Sequence, residues 1–390
     1  MGHSHGNHDD LDAVEVGTQA RNALIAFLAV VGALAVAGLI WLWPSAAEME
    51  ATTFVMAEAP GVTRVDATIV SLDGPCGEQA EALGCEKATI ELDSGERVTI
   101  DLTGATTQAG LRSGDSVQVM AIPTDDGTIY SYAGTNRLPV LIALGALFLV
   151  AVFAVARWKG LFAIVGLIVA GWVLVGFILP AIIVGRPGMA VALAGSTAIM
   201  FVVLYVAHGI SIRTSTALAG TLLGLAVTTG LGMAAVKLAR LSGFADENEF
   251  DLAQLAGGID FQELLMVGII IGGLGVLNDV TITQSSAVWE LRAAAPHYTR
   301  RQIFAAGMRI GRDHIASTIY TIVFAYAGSA LTVLLLIYFI QSDVVSLFGR
   351  ELFAGELVRT LASAIGLVLS VPITTGIAAL TVAPARHHAL

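Results

Sequence analysis

Charged residues are scarce in this chain. Asp, Glu, Lys and Arg make up 13% of its 390 residues, against about 25% in an average globular protein, while 56% are hydrophobic and the mean hydropathy is +0.79. That balance excludes an ordinary soluble domain and implies a polytopic membrane protein. Basic residues are scarcer still: 20 Lys and Arg face 31 Asp and Glu, a net charge of −11. Nucleic acid is therefore not expected as a partner, whereas cations and basic partners are tolerated. No nucleophile triad, nucleotide-binding glycine loop or HExxH motif is present, which argues against a membrane protease, an ATP-driven pump or any other enzyme, and no cofactor is expected.

What the chain has in abundance is long apolar runs. Eight are long enough to cross about 30 Å of hydrocarbon: residues 23–43, 138–156, 161–184, 189–207, 217–238, 259–282, 315–340 and 357–382. The first is long, follows a polar segment and lacks a clear small-x-small site before Trp41-Leu42-Trp43-Pro44, so it reads as a retained anchor rather than a cleaved signal peptide. With both termini cytoplasmic, the inner connections carry Arg21, Arg157, Lys159, Arg213, Arg292, Arg300, Arg301, Arg309, Arg312 and Arg386, and the outer ones keep fewer basic residues. The expected organisation is a His-containing cytoplasmic tail (1–22), a first transmembrane helix (23–43), an extracytoplasmic domain (50–137) and a seven-helix transmembrane domain (138–390).

Only two cysteines occur, Cys76 and Cys85, and both fall in the extracytoplasmic insert. A disulfide closing this short loop fits an oxidising compartment; zinc is the weaker rival because the insert holds no His. The insert alternates like strands at residues 68–70, 88–92, 98–102, 117–120 and 129–132. Turn sequences such as Asp93-Ser94-Gly95, Ser113-Gly114-Asp115 and Asp125-Asp126-Gly127 separate them. Five short strands suggest a small OB-like β-barrel. Without an aromatic platform or basic groove, an assembly role is favoured over ligand binding.

Chemistry concentrates in the C-terminal third. Asn278-Asp279 sits at the inner end of an apolar run, where a carboxylate costs roughly 2.5 kcal/mol or more at the bilayer centre and generally handles ions, protons or substrate; a structural ion pair or helix cap is the plainer alternative. On a helix, Gly268, Gly272, Gly275, Asp279, Thr283, Ser286 and Glu290 share one face. Glycines there let a neighbouring helix approach closely, and the polar residues extend the stripe as a path between helices. Asp313, Ser317 and Thr321 likewise share a face of the next span. Arg312 is placed to neutralise Asp279, and His314 to titrate near neutrality or to serve as a hydrogen-bonded structural residue. Residues 293–309 read as an amphipathic helix on the cytoplasmic surface. In the N-terminal tail, His3, His5 and His8 form a weak metal-chelating candidate, equally explained as a chance cluster.

Three segments carry a family resemblance: Gly275-Val276-Leu277-Asn278-Asp279-Val280 through Trp289-Glu290-Leu291, Gly311-Arg312-Asp313-His314-Ile315 through Gly328-Ser329, and Glu356 through Pro372-Ile373-Thr374-Thr375. In order and spacing they resemble the YibE/F family of bacterial membrane proteins, from about Phe54 onward. That resemblance implies a multi-pass protein of the bacterial plasma membrane, of a transporter class with no established substrate. Leu277-Asn278-Asp279-Val280-Thr281-Ile282 is similar, more faintly, to the Asn-Asp-Thr segment of SecF, whose RND superfamily uses a membrane carboxylate for proton coupling. The expectation is an α-helical secondary transporter or ion-coupled export component acting on an unknown ion or small solute. Its partners would be the lipid bilayer and a homo-oligomer or other membrane partner. The competing class is a non-transporting assembly or accessory protein that binds a partner through its β domain.

Overall fold

A computed structural model describes residues 14–52, 62–76, 85–124, 127–245, 247–256, 258–329, 331–340, 346 and 348–385. His3, His5 and His8 lie outside the described residues. The chain divides into two compact units, residues 54–155 on the one hand and 1–53 with 156–390 on the other.

The smaller unit holds a five-stranded antiparallel sheet. β1 (Thr63–Pro75), β2 (Glu86–Leu92), β3 (Arg97–Leu102), β4 (Ser116–Thr124) and β5 (Gly127–Thr135) are ordered β3-β2-β1-β4-β5. β1 is the longest strand and serves both sides, pairing with β4 through its first half and with β2 through its second. Register shifts after Ile69 and Leu72 bend it, and β3 comes to lie against β5, so the sheet curls. The alternation read from the sequence points Ala67, Ile69, Ala88, Ile90, Ile100, Leu102, Val117 and Val119 into one closed core. A short 3₁₀ segment, Gly104–Ala109, connects β3 to β4. Cys76 and Cys85 are disulfide-bonded with Cα atoms 5.5 Å apart. Asp101 lies beside them, but the bonded sulfurs leave no thiolate for zinc.

The larger unit is helical. Its elements are α1 (Thr18–Leu42), α2 (Ala46–Thr52), the second half of α3 (Leu138–Val173), α4 (Leu179–Ile183), α5 (Gly188–His208), α6 (Ile212–Leu238), α7 (Glu247–Leu255), α8 (Phe261–Ala294), α9 (Arg300–Ser329), α10 (Leu331–Ile340) and α11 (Glu351–Thr381). Among the described residues, six stretches are long and apolar enough to cross a membrane: Thr18–Leu42, Leu138–Ile183, Gly188–His208, Ile212–Leu238, Phe261–Ala294 and Glu351–Thr381.

The difference from the eight expected runs has two sources. Leu138–Ile183 contains two of those runs in one element, interrupted where Arg157 adopts φ 55° and ψ −141°. The expected seventh run falls in α9 and α10, on either side of residue 330, which lies outside the described residues; α9 by itself begins with Arg300, Arg301, Arg309, Arg312 and Asp313 and is not apolar enough to count as a span. The expected surface helix over 293–309 is not a separate element. Thr299 and Gln302 form a capping box (Thr299 N–H to Gln302 Oε1, 2.8 Å; Gln302 N–H to Thr299 Oγ1, 3.3 Å) that starts α9 at Arg300 and runs it straight on into the apolar stretch. The short link from α8 is closed by Arg292 Nη1, which donates to the carbonyls of Pro296 and Tyr298.

α6 occupies the centre of this unit, packed against both α8 and α11, with α9 against α8 and α11 and α1 against α5. Ser211 caps α6 by accepting the Thr214 N–H, and Asp260 caps α8 by accepting that of Glu263. Between α5 and α6, Gly209 takes φ 77°, a turn that a side chain would resist.

Candidate functional site

α8 carries polar residues on two sides, and the two sides have different surroundings. The sequence-derived stripe does share one face, but that face is open: Gly272, Gly275, Asp279 and Glu290 are exposed, and Gly268, Thr283 and Ser286 are half-buried. It is not a path enclosed between the described helices. Spacing defines which residues lie together; the direction of the face is decided by which side of α8 offers the larger apolar surface, and Leu274, Leu277, Val280 and Val288 turn inward.

Asp279 has a partner from α9. His314 Nε2 lies 3.5 Å from Asp279 Oδ2, an ion-pairing distance when the imidazole is protonated, without the geometry of a hydrogen bond. The Asp279 side chain is 66% exposed and that of His314 27%. The residue facing Asp279 is thus His314 and not Arg312, which is exposed on another side of α9 together with Asp313. Ser317 and Thr321 also face outward, Thr321 Oγ1 donating to the Ser317 carbonyl at 3.2 Å. Thr318 Oγ1 donates to the His314 carbonyl at 2.9 Å. Tyr326 brings its hydroxyl over Gly272, 3.6 Å from where a side chain would begin, so the glycine does admit α9 closely at that level.

Asn278 points elsewhere. It is half-buried, its Oδ1 has no hydrogen-bond partner, and it stands at one end of a 440 Å³ cleft otherwise lined by apolar residues of α3, α5 and α8, among them Leu167, Leu174, Met200, Val203 and Ile271. A π-helical turn, Leu174–Ile178, forms part of that wall.

The second polar region is one the spacing argument passed over. Facing α6, α8 presents Thr281 and Ser285, and facing α9 it presents Gln284, all buried. Thr281 and Thr221 hydroxyls are 2.6 Å apart, Gln284 Nε2 donates to the Gly307 carbonyl at 2.7 Å, and Ser285 Oγ donates to the Arg213 carbonyl at 2.8 Å. Across from them α11 contributes Ser370, Thr374 and Thr375, also buried. A signal for this seam exists in the sequence: hydroxyl residues recur inside the apolar runs of α6, α8 and α11. Such residues bind helices together where lipid offers no hydrogen bonds.

Chemically, the α8–α9 face offers a carboxylate and an imidazole within ion-pairing reach, able to exchange a proton or attract a cation. Near the other end of α8, a 170 Å³ cavity is lined by Phe261, Leu265, Glu351, Glu356 and Arg359, with Arg359 Nη1 2.8 Å from Glu356 Oε1.

A family model described as YibE/F-like protein matches residues 144–384, well over half of the chain and all of α8, α9 and α11. No curated protein and no solved structure matches the chain.

Proposed function

This chain belongs to the YibE/F-like family, and on that premise we propose that it is a secondary transporter or ion-coupled export component. In this reading the chain crosses the bacterial plasma membrane eight times with both termini cytoplasmic. α3 supplies two spans on either side of Arg157, and α9 with α10 supplies the seventh. The curled sheet is an extracytoplasmic OB-type barrel; its strand order, the approach of β3 to β5 and the short helical link between β3 and β4 support that assignment.

The observation that carries the reading is the Asp279–His314 pair, placed partway along a helix that is one of the six candidate spans among the described residues. An ionisable pair is costly there, and such pairs generally mark a path for an ion or proton. The cargo is an unknown ion or small solute. Reconstituted into vesicles with a pH-sensitive dye and a panel of metal ions and small solutes, the protein is expected to move protons with one of them. Asp279→Asn, which keeps shape but cannot ionise, is expected to abolish that flux while unfolding at the same temperature, and His314→Gln to shift its pH dependence. Proton-coupled flux unchanged in Asp279→Asn would defeat the proposal.

One observation favours the accessory reading: the same face of α8 and α9 is open over several turns. Polar side chains do not remain against lipid, so a neighbouring subunit covering Asp279 is the alternative. Loss of a partner from purified Asp279→Asn, without any flux in the parent protein, is its signature.

A further inference from the structure

The strongest contact in the helical unit, between α6 and α11, has matching sequences on its two sides. Arg213-Thr214 through Thr228-Thr229-Gly230 and Arg359-Thr360 through Thr374-Thr375-Gly376 align without a gap. Seven of these 18 positions are identical: the Arg-Thr pair, Gly220 with Gly366, Leu223 with Leu369, and the Thr-Thr-Gly that ends each segment. Gly224 corresponds to Ser370. A stripe of small residues alone would be a packing device, but the match extends to the Arg-Thr pair well outside the stripe.

The contacts repeat the correspondence. Thr374 of α11 sits on Gly220 of α6, where an added side-chain carbon would be 2.9 Å from Thr374 Cβ. Reciprocally, Thr228 of α6 sits on Gly366 of α11, where the same carbon would be 3.1 Å from Thr228 Cβ. Between them Gly224 meets Ser370 at 3.0 Å. These pairs run in opposite directions along the two helices, so the helices are antiparallel and a local two-fold axis passes near Gly224 and Ser370. Hydroxyl geometry follows the same rule: Thr229 Oγ1 donates to the Leu225 carbonyl at 2.8 Å, and its counterpart Thr375 Oγ1 to the Val371 carbonyl at 2.7 Å.

The axis places Arg213 and Arg359 in equivalent positions at opposite ends of the pair, about 33 Å apart along the helices at 1.5 Å per residue, close to one hydrocarbon thickness. Each start lies against α8. Ser285 Oγ holds the Arg213 carbonyl, and the Arg359 guanidinium lies over Gly268. The two ends are nevertheless not alike. At the Arg213 end Thr214, Ser215 and Thr216 are buried; at the Arg359 end Thr360 is half-buried, Leu361 is exposed, and Arg359 borders the 170 Å³ cavity.

We infer that α6 and α11 are inverted repeats that form the moving pair of the transport cycle, with Arg213 and Arg359 as equivalent positioning residues of its two gates. The structure is the state with the Arg359 end open. In an inverted repeat, the second state is reached when the two halves exchange conformations, opening the Arg213 end as the Arg359 end closes. Pro372, whose counterpart is Ala226, removes one backbone donor inside α11 and gives that helix a place to bend. The exchange rests on the transporter reading; the repeat itself does not.

The test places Thr214→Cys and Thr360→Cys, equivalent and nearly isosteric, singly in the full chain in lipid nanodiscs, where both faces are open to a membrane-impermeant maleimide and the Cys76–Cys85 disulfide does not react. Across a pH series, and in Asp279→Asn, labelling of the two positions is expected to change several-fold in opposite senses. Parallel change, or none at either position, overturns the inference. Hydrogen exchange of the unsubstituted protein over residues 211–218 and 357–364 reads the same reciprocity without any cysteine, so a variant that fails to fold does not end the test. Proton-coupled flux without reciprocity removes this inference and leaves the transporter reading; reciprocity without flux removes the transporter reading and the transport cycle with it, and leaves the repeat as a pair that exchanges conformations.

Discussion

α8 separates two polar regions. In the closed seam its Thr281 and Ser285, toward α6, and its Gln284, against Gly307 of α9, are buried, and each is engaged with a hydroxyl or a carbonyl. Toward α9 its Asp279 is exposed, and its one close partner among the described residues, His314, stands at ion-pairing distance only. Neutral hydroxyls and amides can be buried between helices because neighbouring groups satisfy them; a carboxylate keeps access to something that can change its charge. The difference assigns holding to the seam and leaves the open face to the exchange proposed above.

The largest effect is expected from a wedge driven into the seam. Gly366→Val forces Thr228 away from α11 and should destabilise the protein by about 3 kcal/mol. Gly275→Val on the other side, where no heavy atom comes within 4 Å, should stay within about 0.5 kcal/mol. Unfolding midpoints of the two variants in the same detergent measure the contrast. An equally damaging Gly275→Val would mean that a subunit covers the open face.

Gln284→Leu comes next. It strips the Gly307 carbonyl of a buried donor and should cost about 2 kcal/mol. Smaller still is the Thr221–Thr281 contact, for which a double-mutant cycle with Val at both positions should return a coupling of about 0.6 kcal/mol, typical of hydroxyl contacts between membrane helices. A coupling of zero would reduce this contact to coincident packing.

The smallest effect is a water-side control. In the exposed sheet, the Thr89 and Ser71 hydroxyls donate to Asp73 and hold its carboxyl below the usual carboxylate range. A group whose folded pKa is depressed contributes stability above its unfolded value of about 4 and loses it as the pH falls through the folded value. The β domain should therefore weaken slightly in acid, and Thr89→Val should flatten that slope. Near-UV circular dichroism of the full chain, followed from neutral pH downward, reads it through Tyr130 and Tyr132.

Much of this was legible in the residues. The five strands appear where alternation put them, with Asp93-Ser94-Gly95 and Ser113-Gly114-Asp115 at turns, while Asp125 and Asp126 lie outside the described residues; each strand buries one face in a single small core, and the cysteine pair bonds as its spacing suggested. The apolar runs became helices for the same reason of local pattern. Two things were not legible. Whether the Gly268-to-Glu290 face turns inward depends on the helices packed against the opposite side, and no spacing within α8 contains them. The choice of His314 over Arg312 depends on the rotation of α9, which the Thr299–Gln302 cap and the packing of Ile303, Gly307 and Gly311 fix from outside the motif.

One small feature bears on how the chain is made. Val16 and Val382 form an antiparallel bridge, flanked by the Gly17 N–H to Thr381 carbonyl bond at 2.9 Å and the Ala383 N–H to Glu15 carbonyl bond at 2.7 Å. The segment just ahead of α1 is therefore fastened by residues that leave the ribosome more than 360 positions later. Until α11 is made, α1 therefore lacks its clasp, and closing the clasp is a contact between segments far apart in the chain that forms late.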